Sequence, residues 1–249
     1  MVDIWPFYGT RPYNQDAKTL IAPSTDHLSI ENIEIFRKNN YWNYLKILNP
    51  VGQLKEKDSL LEAKNHFKEM KENDVIKKDE VLHFYIYQIE LGNHHQLGFL
   101  SLASIKDFEK KIIKPHEKIY ESRKIERADQ MMNLGTQIGP IYVSYPSENN
   151  IRNLLLSKID KPPSYDFESF DNSIHRLWCI NDSTFIEELT SLFKKVNAPA
   201  VSFTLKGGLI LFKPLIIFLD PYPQPTLNDA NPYIFENVLK IKTFSLFLN

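Results

Sequence analysis

The pattern of apolar and polar positions predicts a chain that mixes helices and strands. The clearest strand signal is a hairpin, in which two β-rich runs, 81–91 and 96–105, flank Gly92-Asn93-His94-His95. The clearest helix signal lies at 59–73, where apolar residues recur at three- and four-residue spacing among lysines and glutamates. Further helices are predicted at 31–38 after Ser29, 104–111, 118–133, 148–157 and from Asp182 to Val196, and further strands at 44–48, 141–145 and 175–180.

These elements do not follow a strict strand–helix–strand rhythm. We therefore expect an α+β fold, a mixed sheet with flanking helices, rather than a doubly wound parallel sheet. A change in composition near the C-terminus predicts a divergent tail at 202–249. The tail is apolar and rich in proline, and it carries six charged residues from Gly207 onward.

Charge and composition narrow the classes of partner. The 249 residues have a formal net charge of −1, and the aromatic residues form no stacking platform between basic residues, so we expect no nucleic-acid partner. The N-terminus has no signal-peptide pattern, which favours a cytoplasmic location. The apolar run Leu209–Leu219 is interrupted by Lys213 and Pro214, and it predicts a buried strand pair rather than a membrane anchor. The single cysteine, Cys179, excludes an internal disulfide and is predicted to be a buried strand thiol.

The segment 111–146 is the main candidate for chemistry. His116 and Glu117 follow a proline, and Arg123 and Arg127 come next at helical spacing. A carboxylate near these arginines and near Lys114 stays ionised and can accept a proton from a hydroxyl, while the cations bind phosphate or carboxylate oxygens. The alternative is a solvated helix start, in which a glutamate after proline only complements the helix dipole.

Other motifs are weaker. His94 and His95 are adjacent on a hairpin tip and lack the spacing of convergent ligands, so they predict a polar turn and no metal site. Arg11, in PFYGTRP, is either an anion contact or a structural group. Gly207-Gly208 lacks the residues that a phosphate-binding loop needs.

Several phrases in a fixed order resemble one known family over about residues 4–201. They are PFYGTRP, NNYWNYLKILNP, HHQLGFLSLASIKDFEKKIIKPHEK, GPIYVSYP and HRLWCINDSTFIEELTSLF. The chain resembles the domain-of-unknown-function 1015 family, which is related to the ParB/sulfiredoxin-like fold. The resemblance implies that residues 1–110 are the N-terminal α+β region of this family and that the region 111–201 is an incomplete ParB-like domain.

The resemblance also implies a chemistry, taken from enzymes of the related ParB-like fold. Free-serine kinases of the ParB-like fold use a glutamate in a segment similar to IIKPHEK and an aspartate in a later D-G-H-H-R box, with ATP or ADP and a magnesium ion. The matching glutamate here is Glu117, with His116 beside it and with Lys114, Arg123, Arg127 and Arg11 as implied contacts for phosphate or substrate. The implied partner is a small hydroxyl amino acid similar to serine.

The chain departs from that pattern after Val201. The residues there read SFTLKGGLILFKPLIIFLD, and no D-G-H-H-R occurs in the sequence, which predicts a truncation or a frame shift. Two hypotheses follow: an impaired small-molecule kinase with Glu117 as its base, or a non-catalytic remnant that acts as a binding or regulatory protein. Neither hypothesis includes a membrane partner. The apolar tail predicts self-association, because a core built for a longer chain would be left partly open.

Overall fold

A computed structural model gives the fold and describes residues 2–13, 16–22, 29–48, 56–115, 121–170, 172–196, 200–203 and 215–219. The strands are β1 (Ile4–Trp5), β2 (Thr10–Pro12), β3 (Ile76–Lys78), β4 (Phe84–Leu91), β5 (His94–Ala103), β6 (Ile113–Pro115), β7 (Ile141–Ser144), β8 (Tyr165–Glu168), β9 (Ile174–Ile180), β10 (Ala200–Phe203) and β11 (Leu215–Leu219). The helices are α1 (Ala17–Leu20), α2 (Ile30–Asn39), α3 (Leu45–Leu48), α4 (Glu56–Glu72), α5 (Ile105–Glu109), α6 (Glu121–Leu134), α7 (Asn149–Ile159) and α8 (Ser183–Lys195). The predicted α+β class is confirmed.

The described residues form two compact units. The first unit comprises the described parts of 1–8, 80–128 and 140–224, and the second comprises those of 9–79 and 129–139. The chain therefore passes from one unit to the other more than once. The predicted division at residues 110 and 201 stays a prediction.

The first unit is built on one mixed sheet, which has nine strands within the described part of the chain. Along the sheet the order is β6-β10-β7-β11-β5-β4-β9-β8, and β1 pairs with β5. Two pairs of neighbours are parallel, β6 with β10 and β7 with β11, and the other pairs are antiparallel. Strand β11 comes from the divergent tail and lies inside the sheet, between β5 and β7.

Helices α7 and α8 bury their apolar faces in the core of this unit. Phe185, Leu189 and Phe193 of α8 recur at helical spacing and are almost fully buried. The ring of Phe193 lies edge-on to Phe99 of β5 at 5.0 Å and to Tyr145 at 5.2 Å. Burial of large aromatic side chains of this kind supplies most of the stabilisation of such a core.

The ends of α8 match the prediction. The helix begins after Asp182, whose side chain accepts a hydrogen bond from the backbone N–H of Phe185 at 2.9 Å. That hydrogen bond and the nearby Lys158 ammonium lower the pKa of Asp182.

The second unit consists of α1 to α4, the β2–β3 ribbon and the last residues of α6. Its buried apolar residues come from the short helices α1 and α3, from α4 and from the turn into β3. The side-chain amide of Gln130 donates to the carbonyl oxygen of Ile47 at 2.8 Å, which joins α6 to α3. The predicted helix at 59–73 is confirmed as α4, with Ala63, Phe67 and Met70 buried.

Two local predictions are wrong. The run 44–48 does not form a strand: residues 45–48 form helix α3, because the Asn43 side chain accepts from the backbone N–H of Leu45 at 2.8 Å and so caps a helical turn. The cysteine does lie in a strand, β9, but Cys179 is partly exposed and not buried. Its side chain lies near the end of β9, beyond the fully buried Leu177.

The hairpin is confirmed as β4 and β5, with a tighter turn than expected. Leu91 pairs with His94, so Gly92 and Asn93 alone form the loop, and Gly92 has the positive φ of 58° that such a turn requires. His94 and His95 therefore belong to β5, and the predicted polar turn lies just before them. No helix among the described residues is long and apolar enough to cross a bilayer.

Candidate functional site

Helix α5 and the turn that follows it position strand β6, which comes just before the predicted site. The buried carboxylate of Asp107 accepts from the backbone N–H of Asp3 at 3.0 Å, which ties the helix to the N-terminal strand. The helix ends at Glu109, and Lys111, two residues later, has a φ of 57° in the left-handed region. The backbone N–H of Ile112 returns to the carbonyl oxygen of Asp107 at 2.8 Å, and this turn directs the chain into β6.

Strand β6 lies at one edge of the sheet and runs parallel to β10. Ile113 pairs with Ala200, Lys114 with Val201 and Pro115 with Ser202. Because the two strands are parallel, their carboxyl ends point in the same direction and lie next to each other. Pro115 and Ser202 therefore lie side by side at the carboxyl ends of these strands.

Helix α6 carries the two predicted arginine contacts. Arg123 and Arg127 lie four residues apart near its first turns, so their positions share one face of the helix. His116 and Glu117 fall in 116–120, between β6 and α6, and lie outside the described residues. Lys114, in β6, is exposed. The structure thus describes β6 and α6, and the two predicted catalytic residues between them in the sequence stay predictions.

Arg11 belongs to the second unit and is already engaged. Its Nε and Nη2 atoms both lie 2.7 Å from a carboxylate oxygen of Asp79, across the β2–β3 ribbon. Asp79 is well buried and Arg11 partly so, which makes this pair a structural tie between the two ends of the ribbon. Its implied role in binding substrate stays a prediction.

A second cluster of polar residues lines a cavity of about 340 Å³ in the second unit. The lining side chains come from α4 and from the turn and helix around α3; they are Tyr41, Lys46, Leu61, Glu62, Asn65, His66 and Glu69. The hydroxyl of Tyr41 donates to Glu69 at 2.6 Å, and the ammonium of Lys46 lies 4.3 Å from the centre of the Tyr41 ring. Arg37 lies beside the cluster and contacts Glu62 at 3.4 Å.

Burial and mutual repulsion among the cations set the charge state of this cavity. Burial, then the charges of Lys46 and Arg37, lowers the pKa of His66 to about 4 against an opposing effect of Glu69, so the imidazole is neutral at pH 7. Burial and the charge of Arg37 lower the pKa of Lys46. The hydrogen bond to Glu69 raises the pKa of Tyr41.

The sequence of α4 contains a signal for this cavity. Glu62, His66 and Glu69 stand four and three residues apart on α4, so they share one face of the helix. Among the described residues, no group of three His, Cys, Asp or Glu side chains is arranged to hold a metal ion.

Comparison with known proteins gives one result. No curated protein and no solved structure matches the chain. The family model for a protein of unknown function (DUF1015) matches residues 4–202. That match covers more than half of the sequence, so the chain belongs to this family.

Proposed function

We propose that this chain is a small-molecule phosphotransferase that acts on a hydroxyl amino acid similar to serine, and that its transfer step is impaired. One observation supports the proposal: the parallel pairing of β6 and β10 places Pro115 and Ser202 side by side at the carboxyl ends of the two strands. Ligands of open sheets with parallel strands bind outside the carboxyl ends of those strands.

The residues around this edge suit an anionic ligand. Lys114 is exposed at the end of β6, and Arg123 and Arg127 lie one helical turn apart near the start of α6. Guanidinium groups at that spacing bind the oxygens of a phosphate or a carboxylate with charge-assisted hydrogen bonds. The three cations would therefore hold the phosphate groups of ATP or ADP and the carboxylate of the acceptor.

Glu117 is the general base in this proposal. It takes the proton of the acceptor hydroxyl, the hydroxyl oxygen bonds to the terminal phosphorus, and the phosphorus–oxygen bond to the leaving nucleotide breaks. The cations keep Glu117 ionised, and His116 stands next to it in sequence. Positioning and charge stabilisation supply most of the rate in this class of reaction.

The chain lacks one part of this machinery. The residues after β10 read TLKGGLILFKP and contain no D-G-H-H-R, so the second carboxylate implied by the resemblance is missing from that place. The resemblance also implies magnesium, which would neutralise charge on the transferred phosphate. Because the described residues offer no three-ligand group, we assign no residue to the metal. We therefore expect slow transfer with retained binding.

The alternative is a non-catalytic protein that binds a nucleotide or an amino acid as a regulator. The same missing box favours it. Both functions require an anion site at β6 and α6, and they differ only in whether Glu117 contributes to a rate.

A radioactive transfer assay separates the two. The purified chain is incubated with magnesium, γ-labelled ATP or β-labelled ADP, and L-serine, and labelled phosphoserine is measured in parallel with the wild type and Glu117→Gln. We expect slow transfer above the uncatalysed rate, and a loss of about 100-fold or more in the variant, the usual contribution of a general base. Equal rates for both proteins would remove the catalytic role and leave the regulatory one.

A further inference from the structure

The cavity of the second unit combines charges of both signs on a small surface. We propose that it binds a small zwitterion, a molecule that carries a carboxylate and an ammonium group on one carbon, as a free α-amino acid does. This site is lined by α4 and by the segment around α3, and it uses none of the residues of the proposed phosphotransfer.

Two buried atoms of the cluster have unused hydrogen-bonding capacity. Nε2 of His66 and Oε2 of Glu62 are inaccessible to solvent, and neither has a hydrogen-bond partner among the described residues. The whole His66 residue is only 6% exposed. Buried polar atoms nearly always form hydrogen bonds. Two such atoms beside one cavity therefore indicate that a bound molecule or ordered water supplies the missing hydrogen bonds.

The positive end of the cavity is formed by Lys46 and His66. Lys46 is held over the Tyr41 ring, and its charge and that of Arg37 both act on His66. Burial, and then the repulsion between these cations, lowers the pKa of both Lys46 and His66, although nearby glutamates oppose the shift. A ligand carboxylate placed there would accept hydrogen bonds from the ammonium and the imidazole.

The negative end is formed by Glu62. Glu69 already accepts the hydroxyl of Tyr41, whereas Glu62 contacts Arg37 through only one of its two oxygens. A ligand ammonium would donate to the second oxygen. The opposite signs of Lys46 and Glu62 on two facing elements therefore favour a zwitterion over a simple anion or cation.

Size and shape agree with this class. A volume of about 340 Å³ lies at the small end of the range for ligand pockets. Leu61, at the rim, is 56% exposed and offers an apolar surface for a side chain. The amide of Asn65, on the next turn of α4, adds a donor and an acceptor at the same rim.

Three matched probes test the proposal by calorimetry on the full chain. L-Norvaline carries both charges, pentanoate carries only the carboxylate, and butylamine carries only the ammonium on the same carbon chain. We expect saturable binding of norvaline, and binding at least about tenfold weaker for each of the other two, because each lacks one charge-assisted contact. Equal affinity for pentanoate and norvaline, or no saturable binding of norvaline, would overturn the proposal.

Substitutions locate the binding. Lys46→Met and Glu62→Gln should each weaken norvaline binding by about tenfold or more, since each removes one charged contact. Lys68→Gln is the matched control, because Lys68 is 72% exposed on the same helix and pairs only with Glu72 among the described residues. Circular dichroism verifies that each variant is folded, and the half-exposed Glu62 keeps the test usable if Lys46→Met does not fold.

One further variant separates this site from the proposed phosphotransfer site. Glu117→Gln should bind norvaline with an unchanged dissociation constant. If Glu117→Gln lost the binding while Lys46→Met kept it, the zwitterion site at α4 would be refuted. Loss of phosphate transfer alone has no effect on this result, so the two proposals fail separately.

Discussion

Pro115 and Ser202 are paired neighbours on parallel strands, although 86 residues separate them in the sequence. The pairing brings the carboxyl end of β6, which precedes Glu117 in the sequence, beside the carboxyl end of β10. The proposed site therefore draws on two distant parts of the chain. The predictions below test its parts and the stability of the fold around it.

The arginines of α6 should matter for binding more than for folding. Arg123→Gln and Arg127→Gln should each weaken the binding of magnesium-ATP by about tenfold, because each removes a charge-assisted contact to phosphate. Lys124→Gln is the control, since position 124 lies about 100° further round the helix. Calorimetric titration measures the dissociation constant of magnesium-ATP for each of the three variants. Equal losses of affinity in all three would indicate a general charge effect instead of a specific site.

Strand β11 should be essential to the sheet. Ile217 pairs with Leu100 of β5 on one side and with Tyr142 of β7 on the other, so its backbone lies inside the ladder. Ile217→Pro removes the N–H donor there, and we expect a loss of about 3 kcal/mol or more in the free energy of unfolding, measured by urea titration. Ile217→Val keeps the donor and the branched side chain and should stay within about 1.5 kcal/mol of the wild type.

Removal of the tail should promote association between chains. Removal of residues 204–249 takes β11 out from between β5 and β7 and exposes the edges of both strands. We expect the shortened chain to aggregate, as measured by light scattering. If it stayed monomeric with an unchanged unfolding midpoint, the central place of β11 would be contradicted.

Loss of the hydrogen bonds of His175, which is buried in the first unit, should lower the stability of the chain. The ring of His175 is 1% exposed; Nδ1 lies 2.7 Å from the hydroxyl of Tyr87, and Nε2 lies 2.7 Å from the hydroxyl of Ser173. Ser173→Ala and Tyr87→Phe should each lower the free energy of unfolding by about 1–3 kcal/mol, because each removes one of these buried hydrogen bonds. Ser157→Ala removes an exposed hydroxyl and should change it by less than about 0.5 kcal/mol.

His66 should make the second unit sensitive to acid. Its pKa is about 4 in the folded chain and near 6.5 in an unfolded one, so the folded state binds fewer protons between these values. Stability is therefore fully present above pH 6.5 and falls as the pH drops from 6.5 towards 4, by on the order of 1–2 kcal/mol. His66→Gln should show a smaller fall than the wild type between pH 7 and pH 4.5 in urea titrations. Asn65→Ala, at the neighbouring position, should keep the wild-type fall.

The sequence was sufficient for elements whose signals are local. The Asp182 cap and the recurring Phe185, Leu189 and Phe193 define α8, and the two β-rich runs around Gly92 define the hairpin. The run around Tyr44 was misleading, because its aromatic and aliphatic residues favour a strand, whereas the Asn43 side chain stabilises a helical turn. Strand β8 gave a weak signal, since of its four residues only Phe167 is buried.

The pairing between distant strands could not be predicted from the sequence patterns. Nothing local in Leu215–Leu219 indicates that it inserts between β5 and β7, because that choice depends on two partners more than 70 residues away. The cavity at Lys46 and His66 is likewise formed by two helices, and the charges of α4 alone resemble those of any solvated face. The position of Arg123 and Arg127 on one helix could be predicted, because both lie in a single run of helical sequence, while their role stays a prediction.

The most direct test is a crystal structure of the chain with a non-hydrolysable ATP analogue and L-serine. We expect the phosphates within hydrogen-bond reach of Arg123 and Arg127 at the carboxyl ends of β6 and β10, and the serine hydroxyl about 3 Å from a carboxylate oxygen of Glu117. A structure in which Glu117 points into bulk water, away from both arginines and from any bound ligand, would contradict the account.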